Sequence, residues 1–209
     1  MSNFYTFCTP SPRAAGPAVQ RHDLFPTRIW QVYLTDLLPR IPDWVVEIQA
    51  VRAASPVSGG RSNRLGWNSP DLTLLQAPAF ADLDVQVRRY CTLALKEMGV
   101  PDPVFDLDSW ANIHDRGGFN FLHMHDGCLV SGCFYLQAPD GSAGLRFRDP
   151  RPGVLNAFAK GPGPNANCDM DIAPDPGMLV IFPHWLEHYV EPHENDVPRI
   201  SIAFNARKG

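Results

Sequence analysis

The sequence predicts a mainly β fold, a sandwich or a barrel, with helices ahead of it in the chain. Three observations predict this class. Seven short strand-like runs separated by Gly, Pro and Asp follow Pro103. One strongly amphipathic helical pattern precedes them, and 209 residues is a length that one domain typically holds. Serial short strands of this kind are typical of sandwiches and barrels.

Composition and charge exclude several classes of protein. Apolar residues make up 44% of the chain and charged residues 19%, which is enough apolar material for a globular core. The net charge of -4 gives no broad positive field of the kind that neutralises phosphates, so we expect no nucleic-acid partner. No run approaches the roughly 18 apolar residues that span a bilayer, and no basic segment followed by an apolar run opens the chain. We therefore expect no membrane association and a cytoplasmic location.

The cysteines support the same location. They form an odd, scattered set without a C-x-x-C pair, which fits neither a disulfide framework nor a zinc ribbon. Reduced thiols in a cytoplasm fit better. The set is Cys8, Cys91, Cys128, Cys133 and Cys168.

The segment before the strands predicts a lead-in and two helices. Residues 1–20 are rich in Ser, Pro, Gly and Ala and have no clear period, which predicts an extended lead-in. Residues 43–54 predict a short helix that Pro42 opens. Residues 55–70 have no period and are interpreted as a loop.

Residues 82–99 give the strongest helical signal. Asp82 or Asp84 is a candidate N-cap, Gly99 can adopt the left-handed conformation that ends a helix, and Pro101 blocks its continuation. We expect this helix to pack against a sheet. The apolar residues at the three-and-four spacing of one buried face are Leu83, Val87, Tyr90, Cys91, Ala94, Leu95 and Met98.

The rest of the sequence predicts the strands and a division of the chain into two parts. We interpret residues 1–103 as a lead-in and helices that pack on a β core formed by residues 104–209, within one structural domain. Residues 161–167 read Gly-Pro-Gly-Pro-Asn-Ala-Asn, which predicts a long surface loop. The predicted strands are 104–114, 119–125, 129–137, 144–148, 178–182, 186–190 and 199–205.

Two histidines in the second predicted strand form the first candidate site. Successive side chains of a strand point to opposite faces, so His123 and His125 project the same way. Such a pair offers a metal two converging ligands. The H-x-H pattern alone is a weak signal, since ordinary surface or hydrogen-bonded histidines produce it as well.

The C-terminal third adds a third imidazole and a candidate anion site. His188 follows the apolar strand that ends near Pro183. In the last strand Arg199, Ser201, Ala203 and Asn205 share one face, while the alternating apolar residues form the other. An arginine fork binds a carboxylate through two parallel hydrogen bonds, and a serine hydroxyl two residues on can donate a third.

Several motifs occur together, in order, between residues 104 and 206. With them the sequence resembles the 2-oxoglutarate and iron(II)-dependent oxygenases, and within these a bacterial and phage family of oxygenases. The matching text is Trp110-Ala-Asn112, His123-Met-His125, Ser131-Gly132-Cys-Phe-Tyr135-Leu136, Arg148-Asp149-Pro150-Arg151, Phe182-Pro183-His-Trp185-Leu-Glu-His188 and Arg199-Ile-Ser201-Ile-Ala-Phe204-Asn205.

The resemblance implies a double-stranded β-helix, a jelly-roll or cupin-like barrel of eight strands. The second barrel strand of this family supplies an H-x-D or equivalent pair of metal ligands and the seventh supplies the distal histidine. His123, His125 and His188 fall on these positions and would hold iron(II). The resemblance further implies that Arg199 and Ser201 hold the far carboxylate of 2-oxoglutarate, and Tyr135 and Asn112 are additional candidate contacts.

One departure from the family pattern leaves the ligand set open. The common triad has Asp or Glu two residues after its first histidine, where this sequence has His125. We favour three histidines. In a second register His125 is the first ligand and Gly127 occupies the carboxylate position, leaving a vacancy that would suit halide binding. Alternatively Asp126 supplies the carboxylate, which requires a bulge or turn there. We interpret His22, His114, His184 and His193 as surface or structural residues.

The function expected from the resemblance is oxidation by dioxygen of an unidentified substrate, a small molecule or a peptide. Hydroxylation is the default outcome, with succinate and carbon dioxide released from 2-oxoglutarate. Two alternatives stay open: a cupin-like three-histidine metalloenzyme that does not use 2-oxoglutarate, and a barrel that binds metal or ligand without catalysis. A homodimer is also left open.

Overall fold

In the part of the chain that the structure describes, the fold has two antiparallel sheets and two α-helices. The computed structural model describes residues 25–153 and 169–209. The predicted lead-in at residues 1–20 and the predicted loop at residues 161–167 lie outside the described residues. Among the described residues, no helix has the length and apolar character needed to cross a membrane.

Both predicted helices are present. Helix α1 (Ile41–Ala54) has Pro42 in its first turn, and helix α2 (Ala81–Glu97) buries five residues of its predicted apolar face. Gly99 takes a φ of +95° after α2, as expected of a residue that ends a helix. Three short 3-10 turns, Thr35–Arg40, Leu74–Gln76 and Pro78–Phe80, flank the helices.

The predicted cap of α2 was wrong. Phe80 occupies the N-cap position, and no side chain caps the first turn. Asp82 instead pairs with Arg40 at 2.7 Å, and Asp84 pairs with Arg88 at 2.8 Å. Both carboxylates still lie in the first turn, where the helix dipole favours negative charge.

Among residues 25–153 and 169–209, eleven strands form the two sheets. They are β1 (Trp30–Tyr33), β2 (Asn63–Arg64), β3 (Trp67–Asn68), β4 (Phe105–His114), β5 (Phe119–His123), β6 (Cys128–Gln137), β7 (Leu145–Arg148), β8 (Asp169–Ile172), β9 (Met178–Pro183), β10 (His188–Val190) and β11 (Arg199–Lys208). One sheet has the order β1-β9-β6-β11-β4-β3 and the other β2-β5-β10-β7-β8. We call them the large sheet and the small sheet.

All seven predicted strands exist, but the prediction was incomplete. It missed β1 and β8, and it was wrong to interpret residues 55–70 as loop throughout, because β2 pairs with β5 and β3 pairs with β4. Two-residue strands carry no periodic signal, and only their partners define them. Strand β5 ends at His123, so His125 lies beyond it. The predicted division at residue 104 stays a prediction.

Strand β11 displays the predicted alternation along the middle of the large sheet. Ile200, Ile202 and Phe204 lie in the core that the sheet shares with the two helices. Arg199, Ser201 and Ala203 line the space between the sheets. Since β11 pairs with both β4 and β6, Ser201 lies between Asn112 and Tyr135.

Close packing at Gly132 holds β6 against its neighbours. A Cβ atom at this position would lie 2.3 Å from the Val180 carbonyl oxygen and 2.4 Å from the ring of Phe204. No side chain fits there without a shift of backbone.

A second apolar core lies between the two sheets. It consists of Cys133, Tyr135, Leu145, Phe147, Met178, Val180, Phe182, Leu186 and Val190.

Candidate metal centre and cosubstrate cleft

Three histidine rings meet between the two sheets. His123 ends β5 and His188 begins β10, and their Cα atoms are direct partners in the small sheet. His125 lies two residues beyond β5. One nitrogen atom of each ring lies within 4.8 Å of the corresponding atoms of the other two, a spacing at which one metal ion could contact all three. The convergence expected from the sequence is therefore present.

Main-chain carbonyls fix the orientation of two of the rings. His123 Nδ1 donates to the carbonyl of Phe121 at 2.8 Å, and His188 Nδ1 donates to the carbonyl of Leu186 at 2.8 Å. With the proton on Nδ1, the lone pair of each ring is on Nε2. Both rings are thus in the tautomer that presents Nε2 to a metal.

The third ring is held by a side chain instead. His125 Nδ1 lies 3.4 Å from the amide nitrogen of Asn205, and the hydroxyl of Ser131 donates to the Asn205 carbonyl oxygen at 2.8 Å. On its other edge, His125 Nε2 lies 3.3 Å from His188 Nε2. His125 is therefore the ring whose orientation depends on neighbouring side chains.

Burial keeps the three imidazoles neutral. It lowers the pKa of His125 to about 4, with smaller contributions from His123 and His184. Burial likewise lowers the pKa of His188 well below its usual value and lowers that of His123. Neutral imidazole is the form that binds a metal, so little proton competition is expected near pH 7.

The alternative ligands lie outside the cluster. Asp126 is exposed, and no metal-ligand cluster among residues 25–153 and 169–209 includes it. Gly127 follows with a φ of +75°, so the chain turns immediately after His125. His184 also stays outside the cluster, and its Nδ1 donates to the His125 carbonyl at 3.0 Å.

Arg199 lies at the deep end of the cleft between the sheets. Its side chain is 3% exposed, and its guanidinium stacks over the ring of Tyr135 at 4.9 Å. Arg199 Nε and the Tyr135 hydroxyl have no hydrogen-bond partner among the described residues. Buried polar atoms in this condition are costly, which makes them candidates for contact with a bound ligand or water.

His114 lies opposite Arg199 on the neighbouring strand β4. Both of its ring nitrogens are buried without a partner among the described residues. Burial, with a smaller contribution from the charge of Arg199, lowers its pKa to about 3. His114 is thus an uncharged side chain beside the guanidinium, as expected of a structural histidine.

Ser201 and Asn112 continue the polar face toward the histidines. The Ser201 side chain is buried and lines the cleft. The Asn112 carbonyl oxygen accepts hydrogen bonds from the Asn68 amide and, at 3.2 Å, from Trp110 Nε1. The amide nitrogen of Asn112 remains available, because those two bonds use only its oxygen.

The cleft connects the arginine to the histidines. Arg199 and all three histidines line it. At about 3.3 Å per residue, the four residues from Arg199 to Ala203 on β11 cover about 13 Å. Ala203 pairs with Trp110, whose ring centroid is 6.3 Å from that of His125. An arginine side chain and a short diacid together can bridge this span.

The sequence analysis missed the residues that the β2–β3 region contributes. Arg61, Ser62 and Asn68 line the same cleft. The Ser62 hydroxyl lies 3.1 Å from His123 Nε2 and accepts a hydrogen bond from the Asn120 amide at 3.0 Å. No periodic pattern or motif marks this segment, so its role depends on the pairing of β2 with β5.

Comparisons with known proteins show what this chain is similar to. A family model described as "Putative 2OG-Fe(II) oxygenase" matches residues 108–205. These residues include all three histidines, Arg199 and Ser201. No curated protein matches the chain by sequence.

Three solved structures illustrate the similarity in fold. A prolyl-4-hydroxylase from Pseudomonas putida has a TM-score of 0.64 at 18% identity, covering 88% of this chain and 94% of its own. The α-ketoglutarate-dependent epimerase SnoN from nogalamycin biosynthesis has a TM-score of 0.65 at 13% identity, covering 87% and 78%. HygX from Streptomyces hygroscopicus, with nickel and 2-oxoglutarate bound, has a TM-score of 0.61 at 13% identity, covering 87% and 83%.

Fold, site and family model agree. The fold is a double-stranded β-helix whose two antiparallel sheets face each other without closing. Three neutral imidazoles suit iron(II), and a buried arginine with an unpartnered Nε suits the far carboxylate of 2-oxoglutarate. Residues 108–205, just under half of the chain, match the model of a family of 2-oxoglutarate- and iron(II)-dependent oxygenases.

Proposed function

We propose that this oxygenase hydroxylates a small molecule or a peptide, with iron(II) bound by His123, His125 and His188 and 2-oxoglutarate held by Arg199 and Ser201. The observation that carries the proposal is a cleft with a three-nitrogen cluster near one end and, at the other, a buried guanidinium whose Nε has no partner among the described residues. When bound, iron(II) and 2-oxoglutarate supply the oxidation of a C–H bond by dioxygen, with succinate and carbon dioxide as co-products.

The histidines provide a neutral set of ligands. Three protein ligands on one side of an iron ion leave further positions for a bidentate cosubstrate and dioxygen. The Nδ1 bonds of His123 and His188 to carbonyls hold two of these ligands in place before a metal arrives. Pre-ordered ligands of this kind reduce the reorganisation needed on binding.

Arg199 and Ser201 provide the recognition of the diacid. A guanidinium can donate two parallel hydrogen bonds to a carboxylate, and the Ser201 hydroxyl projects from the same strand face. The Tyr135 hydroxyl lacks a partner and borders the same guanidinium, so it is an additional donor. The free amide nitrogen of Asn112 is the fourth candidate contact.

The rest of the cleft orients the substrate and limits water. Phe182 packs its ring 4.6 Å from that of His188, and Trp110 lies beside His125. Apolar walls around a reacting centre exclude water that would divert the oxidation. The arginine also favours an enzyme that uses 2-oxoglutarate over a cupin-like enzyme that does not, since a metal alone gives no role to a buried cation.

Anaerobic reconstitution tests this function. Protein loaded with iron(II) under argon should develop a weak visible charge-transfer band when 2-oxoglutarate is added. Arg199→Gln should retain iron but weaken 2-oxoglutarate binding at least about tenfold, because a charge-assisted bidentate contact contributes about 1.5–3 kcal/mol. Ser201→Ala should give a smaller loss.

Arg148→Gln is the matched control. Arg148 lies on β7 and pairs loosely with Glu187 at 3.9 Å, outside the cleft. The Arg148→Gln substitution removes the same charge as Arg199→Gln and should leave the charge-transfer band and the affinity for 2-oxoglutarate unchanged. Thermal unfolding of each variant shows whether the fold persists. Iron-loaded wild-type protein with neither a band nor measurable affinity for 2-oxoglutarate would refute the proposed function.

A further inference from the structure

A second arginine borders the histidine end of the cleft. Arg61 precedes β2 and has a φ of +43°. Its guanidinium stacks over the ring of Trp110 at 4.9 Å from the ring centroid. The same ring lies 6.3 Å from that of His125. Arg61 therefore places a positive charge near the candidate metal centre rather than near Arg199.

Arg61 has no acidic partner within ion-pair distance among the described residues. Its Nη1 donates to the Ser69 carbonyl at 3.1 Å and its Nη2 donates to the Pro70 carbonyl at 3.3 Å, and both acceptors are neutral. The nearest acidic influence is Asp108, which pairs with Arg207 at 2.8 Å. The charge of Arg61 is thus left without a counterion.

The Arg61 guanidinium also has N–H donors that these contacts do not use. An arginine has five N–H groups, and the two carbonyl contacts use only two of them. The backbone contacts and the stack on Trp110 hold the group in one orientation, so little side-chain entropy would be lost on binding. A fixed fork with free N–H groups is suited to a carboxylate.

The charges along the cleft lead to the same conclusion. Among the described residues that line it, the charged side chains are Arg61 and Arg199, and none is Asp or Glu. In the proposed function, iron(II) and the 2-oxoglutarate dianion neutralise each other, and three neutral imidazoles add no negative charge. Two positive charges then remain in a half-enclosed space, which favours an anionic ligand.

The two arginines lie at different levels of the barrel. Arg199 pairs with His114 at the deep end of β4, whereas Trp110, beneath Arg61, pairs with Ala203 four residues further along β11. A diacid held by Arg199 leaves Arg61 facing the part of the cleft where a substrate would approach the metal. Arg61 is therefore available to a second ligand.

We propose that Arg61 binds a carboxylate of the substrate, which makes the substrate class an organic acid or a peptide with a carboxylate near the oxidised carbon. This inference rests on the proposed function, because it assigns 2-oxoglutarate to Arg199. Arg61 also anchors the β2–β3 segment through its two carbonyl contacts, so variants must separate lost charge from lost structure.

The test uses two probes of similar shape, one with a carboxylate and one with a neutral amide in its place. Protein saturated with iron(II) and 2-oxoglutarate under argon is titrated with N-acetylglycine and with N-acetylglycinamide, and binding is measured by ligand-observed NMR and calorimetry. We expect the acid to bind about tenfold or more tightly than the amide. Methyl phosphate serves as a third probe and should bind more weakly than N-acetylglycine if the site is a carboxylate site.

Two variants show whether Arg61 causes the preference for the acid over the amide. Arg61→Gln should remove the difference between acid and amide, and Arg61→Lys should retain part of it because the charge persists. Arg64→Gln is the control: Arg64 lies on the same segment and stacks over Phe121 at 4.7 Å, but it is exposed and does not line the cleft. It removes the same net charge and should leave the preference intact.

The outcomes separate this inference from the proposed function. If the charge-transfer band forms but acid and amide bind equally to wild-type protein, the assignment of Arg61 is wrong while the cosubstrate site stands. A preference that survives in Arg61→Gln, with the band and the thermal midpoint unchanged, also overturns it. Absence of the band itself removes the proposed function, and this inference with it.

Discussion

The two sheets divide the site between them, and they are built differently. The large sheet has three strands of ten residues, β4, β6 and β11, and the helices cover its outer face. The small sheet has strands of two to five residues. Arg199, Ser201, Asn112 and Tyr135 come from the large sheet, whereas His123 and His188 come from the small one.

This difference indicates how each half is held in place. The end of the cleft with Arg199, where we propose that the diacid binds, is fixed by long ladders of backbone hydrogen bonds and by a buried core, so its geometry should change little when ligand binds. The histidine end is fixed by two carbonyl contacts and one side-chain amide. We therefore expect the metal end to be the more easily altered half of the site.

Acid should destabilise the metal-free protein strongly, through the buried histidines His114 and His125. Burial lowers the pKa of His114 to about 3 and that of His125 to about 4, while an unfolded histidine titrates near 6.5. Below pH 6.5 the unfolded chain binds protons that the folded chain does not, so the free energy of unfolding falls as pH falls.

The expected loss is about 1 kcal/mol per pH unit for each such histidine between pH 6.5 and pH 4.5. Urea unfolding at a series of pH values measures it. In His114→Gln the pH dependence of the free energy of unfolding should lose the contribution of His114 and keep that of His125. A slope that is unchanged in this variant would contradict the assignment to His114.

Removal of one ligand should abolish the metal site. His188→Ala takes away a ring nitrogen from the cluster and should weaken iron(II) or nickel(II) binding by more than about 100-fold. Anaerobic calorimetry measures the affinity. His184→Gln is the matched control, since its amide can still donate to the His125 carbonyl, and it should lose less than about tenfold.

A substitution in the large sheet should cost stability rather than metal affinity. Gly132→Ala forces a methyl group against the Val180 carbonyl and the Phe204 ring, and we expect a loss of about 2–3 kcal/mol in the free energy of unfolding. Gly153→Ala, with no atom of the described residues within 4 Å of its Cβ position, should change stability by less than about 0.5 kcal/mol. Equal effects of the two variants would show that β6 is not closely packed at this point.

The smallest predicted effect concerns the contact that holds His125. Metal binding through Nε2 puts the proton of His125 on Nδ1, so the Asn205 amide must turn its carbonyl oxygen toward that ring. Asn205→Leu removes this acceptor and should weaken metal binding about tenfold. Asn205→Asp should restore or exceed the wild-type affinity, since a carboxylate accepts the Nδ1 proton. An Asn205→Leu variant with wild-type affinity would show that His125 needs no such support.

The sequence alone determined much of this protein. The helix of residues 82–99, the seven longer strands and the alternation of β11 follow from periodicity, because side-chain direction is fixed by local backbone geometry. The same alternation predicted that Arg199 and Ser201 share a face. The motifs supplied the family and its cofactors, and the histidine cluster was predicted from H-x-H and His188.

Only the tertiary structure decided the rest, because it depends on residues that are distant in the chain. Strands β2 and β3 exist through their pairing with β5 and β4, and this pairing brings Arg61 and Ser62 to the cleft. His125 faces the other histidines although it lies beyond β5, where strand alternation no longer applies. Its contact with Asn205, 80 residues away, has no signal in local sequence, since short-range periodicity carries no information about which strands meet.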